Sequence, residues 1–230
     1  MSTAHSARAR ARIEVTAAIK DEARRQLAAE GAAKLSLRAV ARELGMVSSA
    51  LYRYFPSRDD LLTALIIDAY DSVGEAAETA LAAAGEARPV ERWTRVCEAV
   101  REWALAHPHE YALIYGSPVP GYVAPDTTVP AAARVGLVLI GIVRDARQGP
   151  GLTLPPLPAD LESEADRMAG DFASDLPPAV APALVAAWAQ LFGLIGFEVF
   201  GQFHRVVEER EAFFRNAAGR LAHGVGLTQT

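Results

Sequence analysis

Apolar and polar positions between Ser36 and Leu62 fall into two short helical registers that meet at a glycine. Leu37, Val40, Ala41 and Leu44 recur at helical spacing, while Arg38, Arg42 and Glu43 stay on the wet side. Ser36 stands ahead of this face as its N-cap, and Gly45 follows it where a left-handed helix end needs a residue without a Cβ. The turn from Gly45 to Val47 or Ser48 is short enough to send the next helix steeply across the first. In the second segment Ser48, Ser49 and Ala50 are small and permit close approach to another surface. Leu51 and Phe55, four apart, face inward, with Tyr52, Arg53 and Tyr54 around them. Pro56 ends the segment, and Ser57 with Asp60 makes a capping box for the next helix. The pattern is a helix-turn-helix.

The rest of the chain reads as all-α. Residues 1–12 are small and polar with alternating arginines and read as a flexible arm, either a groove-reaching element or a tail with incidental charge. A helix over 13–30 carries Val15, Ile19, Ala23 and Leu27 on one face. A long helix from Ser57 to about Ala84 carries Leu61, Leu62, Leu65, Ile66 and Ala69. Further helices are predicted over 90–106, 108–115, 131–146, 160–172, 177–203 and 207–222. Between them lie two proline-rich loops, 116–130 and 149–158, the latter expected to be exposed and mobile, and the last residues are expected to fray.

The segment from Ala179 to Phe200 is apolar except for Gln190 and Glu198 and is long enough to span a membrane. Pro182, Glu198 and the lack of a basic flank argue for a buried helix instead. Its large stripe, Leu184, Trp188, Leu191, Ile195 and Val199, is expected to face the subunit's own core. Its small stripe, Ala189, Gly193 and Gly196, is expected to face a partner subunit.

Charge sharpens this picture. The net charge of −5 disfavours nucleic acid until it is divided along the chain. Residues 1–58 hold eleven Lys or Arg against five Asp or Glu, whereas the remainder holds twelve against twenty-three. The basic pole coincides with the helix-turn-helix, where phosphate neutralisation needs it. The single cysteine, Cys97, excludes an intrachain disulfide framework and fits a reducing cytoplasm. Arg8, Arg10 and Arg12 are followed by no apolar core, so no signal peptide is read. No cofactor is called. His107 and His109 lie two apart with no third ligand, so no metal is called either.

Gly31, Ser36, Leu37, Val40, Ala41, Leu44, Gly45, the Leu51-Tyr52-x-x-Phe55 run, Ser57-Arg58 and Leu61-Leu62 together resemble the DNA-binding domain of the TetR/AcrR family of bacterial transcriptional regulators. The resemblance implies a three-helix DNA-binding domain, residues 1–56, followed by a helical ligand-binding and dimerisation domain, residues 57–230. It departs at Val47, where many members carry a capping Ser or Thr, so that the cap is expected to move to Ser48; at Tyr54 for a frequent His; and at Arg58 for a frequent phosphate-binding Lys. By resemblance, Ser36, Ser48, Tyr52, Tyr54 and Arg58 position the protein on phosphates. Ser49, Ala50 and Arg53 stand near base edges, and Arg38 joins the DNA-facing set.

Dimerisation implies a palindromic operator in double-stranded DNA, with the partner subunit met by Ala189, Gly193, Gly196, Phe200, Phe213 and Ala217. A small, largely apolar ligand is assigned to Trp93, Cys97, Trp103, Tyr111, Tyr115, Tyr122 and Phe192, although aromatic stripes of this kind also build cores. The expected function is a ligand-released repressor, neither an enzyme nor a membrane protein. A ligand-independent DNA-binding dimer is one alternative. The other, an enzyme carrying a DNA-binding head, finds no G-x-S-x-G, Walker motif or Cys/His set to support it.

Overall fold

The computed structural model describes residues 2–229, with side chains described from Ala7 onward; Met1 and Thr230, the outer limits of the two expected domains, lie outside the described residues. Among the described residues ten α-helices account for the architecture: α1 Ser2–Glu30, α2 Leu37–Glu43, α3 Ser48–Leu51, α4 Arg58–Ala84, α5 Pro89–Ala106, α6 Pro108–Tyr115, α7 Val129–Arg147, α8 Glu162–Phe172, α9 Val180–Val199 and α10 Arg210–Val225. Among the described residues the extended structure is confined to one antiparallel bridge, Leu152 to Leu227. The fold class is all-α, as the periodicity predicts.

The chain divides into two compact units. The first comprises residues 1–70 and 109–129, the second 71–108 and 130–230. In the first, Ile19, Ala23 and Leu27 of α1 enclose a core with Leu37, Val40 and Ala41 of α2, Leu51, Phe55, and Leu61, Leu62 and Leu65 of α4. Leu113, Val119 and Tyr122 pack against that same core. Residues 109–129, expected in the second domain, thus fall in the first compact unit. Polar contacts reinforce this. The Thr63 and Tyr122 hydroxyls lie 2.9 Å apart, Tyr70 OH donates to the Ile114 carbonyl at 3.3 Å, and Arg24 pairs with both Asp68 and Glu110.

In the second unit α5, α9 and α10 pack on one another. Trp93, Val96, Cys97, Val100 and Ala104 of α5 are fully buried. The segment 126–147 and α9 are each long and apolar enough to cross a membrane by length and composition. In α9 the protein itself buries Leu184, Ala187, Leu191, Phe192, Ile195 and Glu198. Glu198 is received by Arg101 of α5 through two hydrogen bonds of 2.6 Å.

Several expectations change. The residues read as an arm are helical from Ser2, because Ala and Arg are among the strongest helix formers and their alternation reads as polarity only when propensity is ignored. Trp188, assigned to the inward stripe, is 42% exposed. Ala187 takes the inward position, and Trp188 lies one residue, about 100°, round the helix. The 149–158 loop is tied to the chain's end. Thr153 N donates to Gly226 O at 2.8 Å and Thr228 N to Gly151 O at 2.9 Å, so Leu227 is buried rather than frayed.

Candidate nucleic-acid interface

The helix pair forms as its caps dictate. The Ser36 hydroxyl accepts from Ala39 N at 3.4 Å, starting α2. At the other end Gly45 has φ +63, a left-handed conformation that costs a residue with a Cβ about 1 kcal/mol or more. Met46 N then donates to Ala41 O at 2.8 Å, which closes the turn. Val47 occupies the N-cap position of α3 with no side-chain cap and is 71% exposed. The cap does not move to Ser48, because Ser48 is already the first helical residue. α3 is correspondingly short. After Leu51 the chain continues through hydrogen-bonded turns, with Tyr54 N and Phe55 N both donating to Leu51 O.

Leu51 and Phe55 are buried, which fixes the outward side of this segment. Arg38, Ser48, Ser49, Tyr52 and Arg53 are exposed, and Ser36, Ala50 and Tyr54 are half-buried. Arg12 of α1 places its guanidinium 5.2 Å above the Tyr54 ring, a cation held at the rim of the same face that the sequence marks as basic but gives no partner. A further residue that the sequence leaves silent is Gln26, whose side-chain oxygen accepts from Ser36 N at 3.5 Å.

Arg58 has backbone partners that the sequence does not announce. Its Nη2 donates to Ala32 O at 2.9 Å and Ala33 O at 3.3 Å, and its Nε to Leu35 O at 3.2 Å. These donors serve the turn between α1 and α2, and the remaining nitrogen, Nη1, lies 3.5 Å from the Asp59 carboxylate. The expected capping box is present: Asp60 N donates to Ser57 Oγ at 3.1 Å, and the hydroxyl donates to the Asp60 carboxylate at 2.7 Å.

The seven expected ligand residues divide between the units. Trp93, Cys97 and Trp103 lie buried along α5 and Phe192 is buried on α9. Trp93 leaves its indole N–H without a partner, and burial pushes the Cys97 thiol well above its usual range, so it stays protonated. Tyr111 and Tyr115, with ring centroids 5.3 Å apart, belong to the first unit with Tyr122, and burial raises both of their phenols. His107 stacks on Trp103 at 5.3 Å. Among the described residues no three His, Cys, Asp or Glu side chains gather as a metal site.

Of the six expected dimer residues, Ala189, Gly193, Phe200 and Phe213 are exposed, and Gly196 and Ala217 are half-buried. Gly193, Phe213 and Ala217 line an apolar groove of about 510 Å³ between α9 and α10, together with Phe197 and Phe203.

Two short helices joined through a left-handed glycine, the second presenting hydroxyls and followed by an exposed arginine in the next turn, all on the basic pole, define a helix-turn-helix regulator of transcription. Residues 19–65 match the family described as bacterial regulatory proteins, tetR family, and residues 93–221 match the tetracyclin repressor-like C-terminal domain. The HTH-type transcriptional regulator Rv1816 of Mycobacterium tuberculosis is 40% identical over 200 residues, 84% of each chain, and Mb1846 of Mycobacterium bovis is equally similar. The crystal structure of SCO4313 superposes with a TM-score of 0.78 at 34% identity, covering 93% of this chain and 98% of that one. PfmR of Thermus thermophilus, a TetR family transcriptional regulator, shares the fold at 19% identity and TM-score 0.58, covering 90% and 97%. The chain belongs to the TetR family of DNA-binding transcriptional regulators.

Proposed function

We propose that the protein is a cytoplasmic homodimeric repressor that binds a palindromic operator and leaves it when a small, largely apolar ligand binds the body. The observation that carries the DNA half is the exposure of Ser48, Ser49, Tyr52 and Arg53 on the outward side of a segment whose other side, Leu51 and Phe55, is buried. Ser36, Ser48, Tyr52 and Tyr54 contact phosphates and set register. Ser49, Ala50 and Arg53 meet base edges, with Arg38 beside them. One such head buries too little surface for tight specific binding, so a twofold pair reads half-sites about 34–36 Å apart. The exposed apolar side chains Phe197 of α9, Phe200 just past its end and Phe213 of α10 supply the contact between copies.

The unpaired indole N–H of the buried Trp93 supports a ligand, since an orphaned buried donor costs about 1–3 kcal/mol that a bound acceptor would recover. α4 contributes residues to both units. A ligand that favours one setting of this helix by about 1–3 kcal/mol weakens operator binding several-fold to a hundredfold. A second reading, a DNA-binding dimer without ligand, is favoured by the complete burial of Trp93 and Cys97 as ordinary core.

Selection of duplexes from a random library by the full-length protein tests the DNA half; a palindrome bound by two copies is expected, and no enriched sequence would refute it. A thermal-shift screen of small molecules separates the two readings. A stabilising compound that also releases the duplex selects the first, and none across the library selects the second.

A further inference from the structure

The geometry points to Arg58 as a positioning residue that clamps the α1–α2 connection to the start of α4, a role that rests on the DNA-reading function of the head. The connection is a weak element by itself. It begins at Gly31, with φ +79, passes through a 3-10 turn at Ala32–Lys34 and ends at Ser36, the cap of α2. Its own hydrogen bonds are long, Lys34 N to Gly31 O at 3.2 Å and Leu35 N to Ala32 O at 3.3 Å. Arg58 bonds the Ala32, Ala33 and Leu35 carbonyls with one guanidinium, so the residues leading into the cap are held from outside.

A cation at the first residue of a helix is opposed by the helix dipole. Arg58 sits there with its side chain only 29% exposed, and Asp59 at 3.5 Å is a poor partner. The backbone carbonyls are what favour the position. A planar fork can serve three acceptors from one fixed geometry, whereas a lysine is a point charge on a flexible stem. The clamp and a phosphate contact therefore predict different consequences of the same substitutions. It also ties the entry of α2 to the start of α4, the two segments that flank α3, so its loss misplaces Ser48, Ser49 and Arg53 without removing any of them.

The test uses the full-length protein, a duplex enriched by the wild type from a random library and an unrelated duplex of equal length, with binding followed against salt. For Arg58→Lys and Arg58→Met alike, affinity for the enriched duplex falls about tenfold or more. Affinity for the unrelated duplex and the slope of log affinity against log salt stay as in the wild type. A phosphate contact gives the opposite result and overturns the clamp: Arg58→Lys retains affinity, and Arg58→Met weakens both duplexes equally with a slope lower by about one per protomer.

Should the variants unfold, the wild type decides. The clamp gives an Arg58 Nε–H that exchanges slowly with solvent in the DNA-free protein and whose resonance is unmoved by either duplex; fast exchange, or a shift on adding DNA, overturns it. Because this readout needs no DNA binding, it stays distinct from a failure of the proposed function, which would appear as no enriched duplex at all.

Discussion

Replacing Arg101 with Met strands the Glu198 carboxylate inside the second unit. The wild-type pair is bidentate, Nε to Oε2 and Nη2 to Oε1, each 2.6 Å, with the two side chains 12% and 5% exposed. The guanidinium also lies 5.4 Å above the Phe214 ring, so a single residue of α5 engages both α9 and α10. Its hydrogen bonds to Glu198 are the main influence holding the guanidinium charged. Removing one partner of a buried pair costs about 3–5 kcal/mol, because the other charge is left without compensation. For a chain of this size that corresponds to a fall in Tm of about 6–20 °C. Replacing both, Arg101→Met with Glu198→Met, removes the stranded charge and brings stability back to within about 1 kcal/mol of the wild type. Urea denaturation at one fixed protein concentration measures all three variants, with an unchanged m-value required for the comparison. A single-variant loss under about 1 kcal/mol, or a double variant as unstable as the sum of the two singles, refutes the reasoning.

Other changes have defined outcomes. Val47→Ser supplies the missing N-cap of α3 and raises the head's stability by about 0.5–1 kcal/mol, seen as slower amide exchange at Ser49 and Ala50; unchanged exchange means the cap does not form. Gly45→Ala meets no atom within 4 Å, so its cost is the left-handed backbone alone, about 1–2 kcal/mol, and Gly45→Asn recovers part of it in thermal unfolding. Tyr122→Phe removes the hydroxyl contact to Thr63 and destabilises the first unit by about 0.5–1.5 kcal/mol, detectable as faster exchange within the first half of α4.

The helix-turn-helix was legible because its signals are local. Ser36 caps α2, Gly45 needs positive φ, Leu51 and Phe55 share a face, and Ser57 with Asp60 caps α4; each depends on neighbours within four residues. What lay hidden depends on distant partners. Nothing near Arg58 in sequence announces carbonyls 23 to 26 residues earlier, and Tyr122 sits in a proline-rich loop whose composition gives no hint of its contact 59 residues back. Trp188 was misplaced by a single step because a nearly all-apolar helix offers little contrast to fix its inward face, and the buried Arg101 that draws Glu198 inward lies 97 residues away. The alternating Ala and Arg at the start of α1 shows the converse error, a strong local propensity read only as charge.

The central claim is that the outward side of the α3 segment reads DNA sequence. Its most direct test is fluorescence anisotropy of the full-length protein on a library-enriched duplex and on the same duplex with one base pair changed at each position, for the wild type and Arg53→Ala. If Arg53 meets a base edge, Arg53→Ala costs about 1–3 kcal/mol on the enriched duplex and loses discrimination at one position per half-site, with the others kept. An Arg53→Ala protein that binds and discriminates as the wild type does would contradict the account.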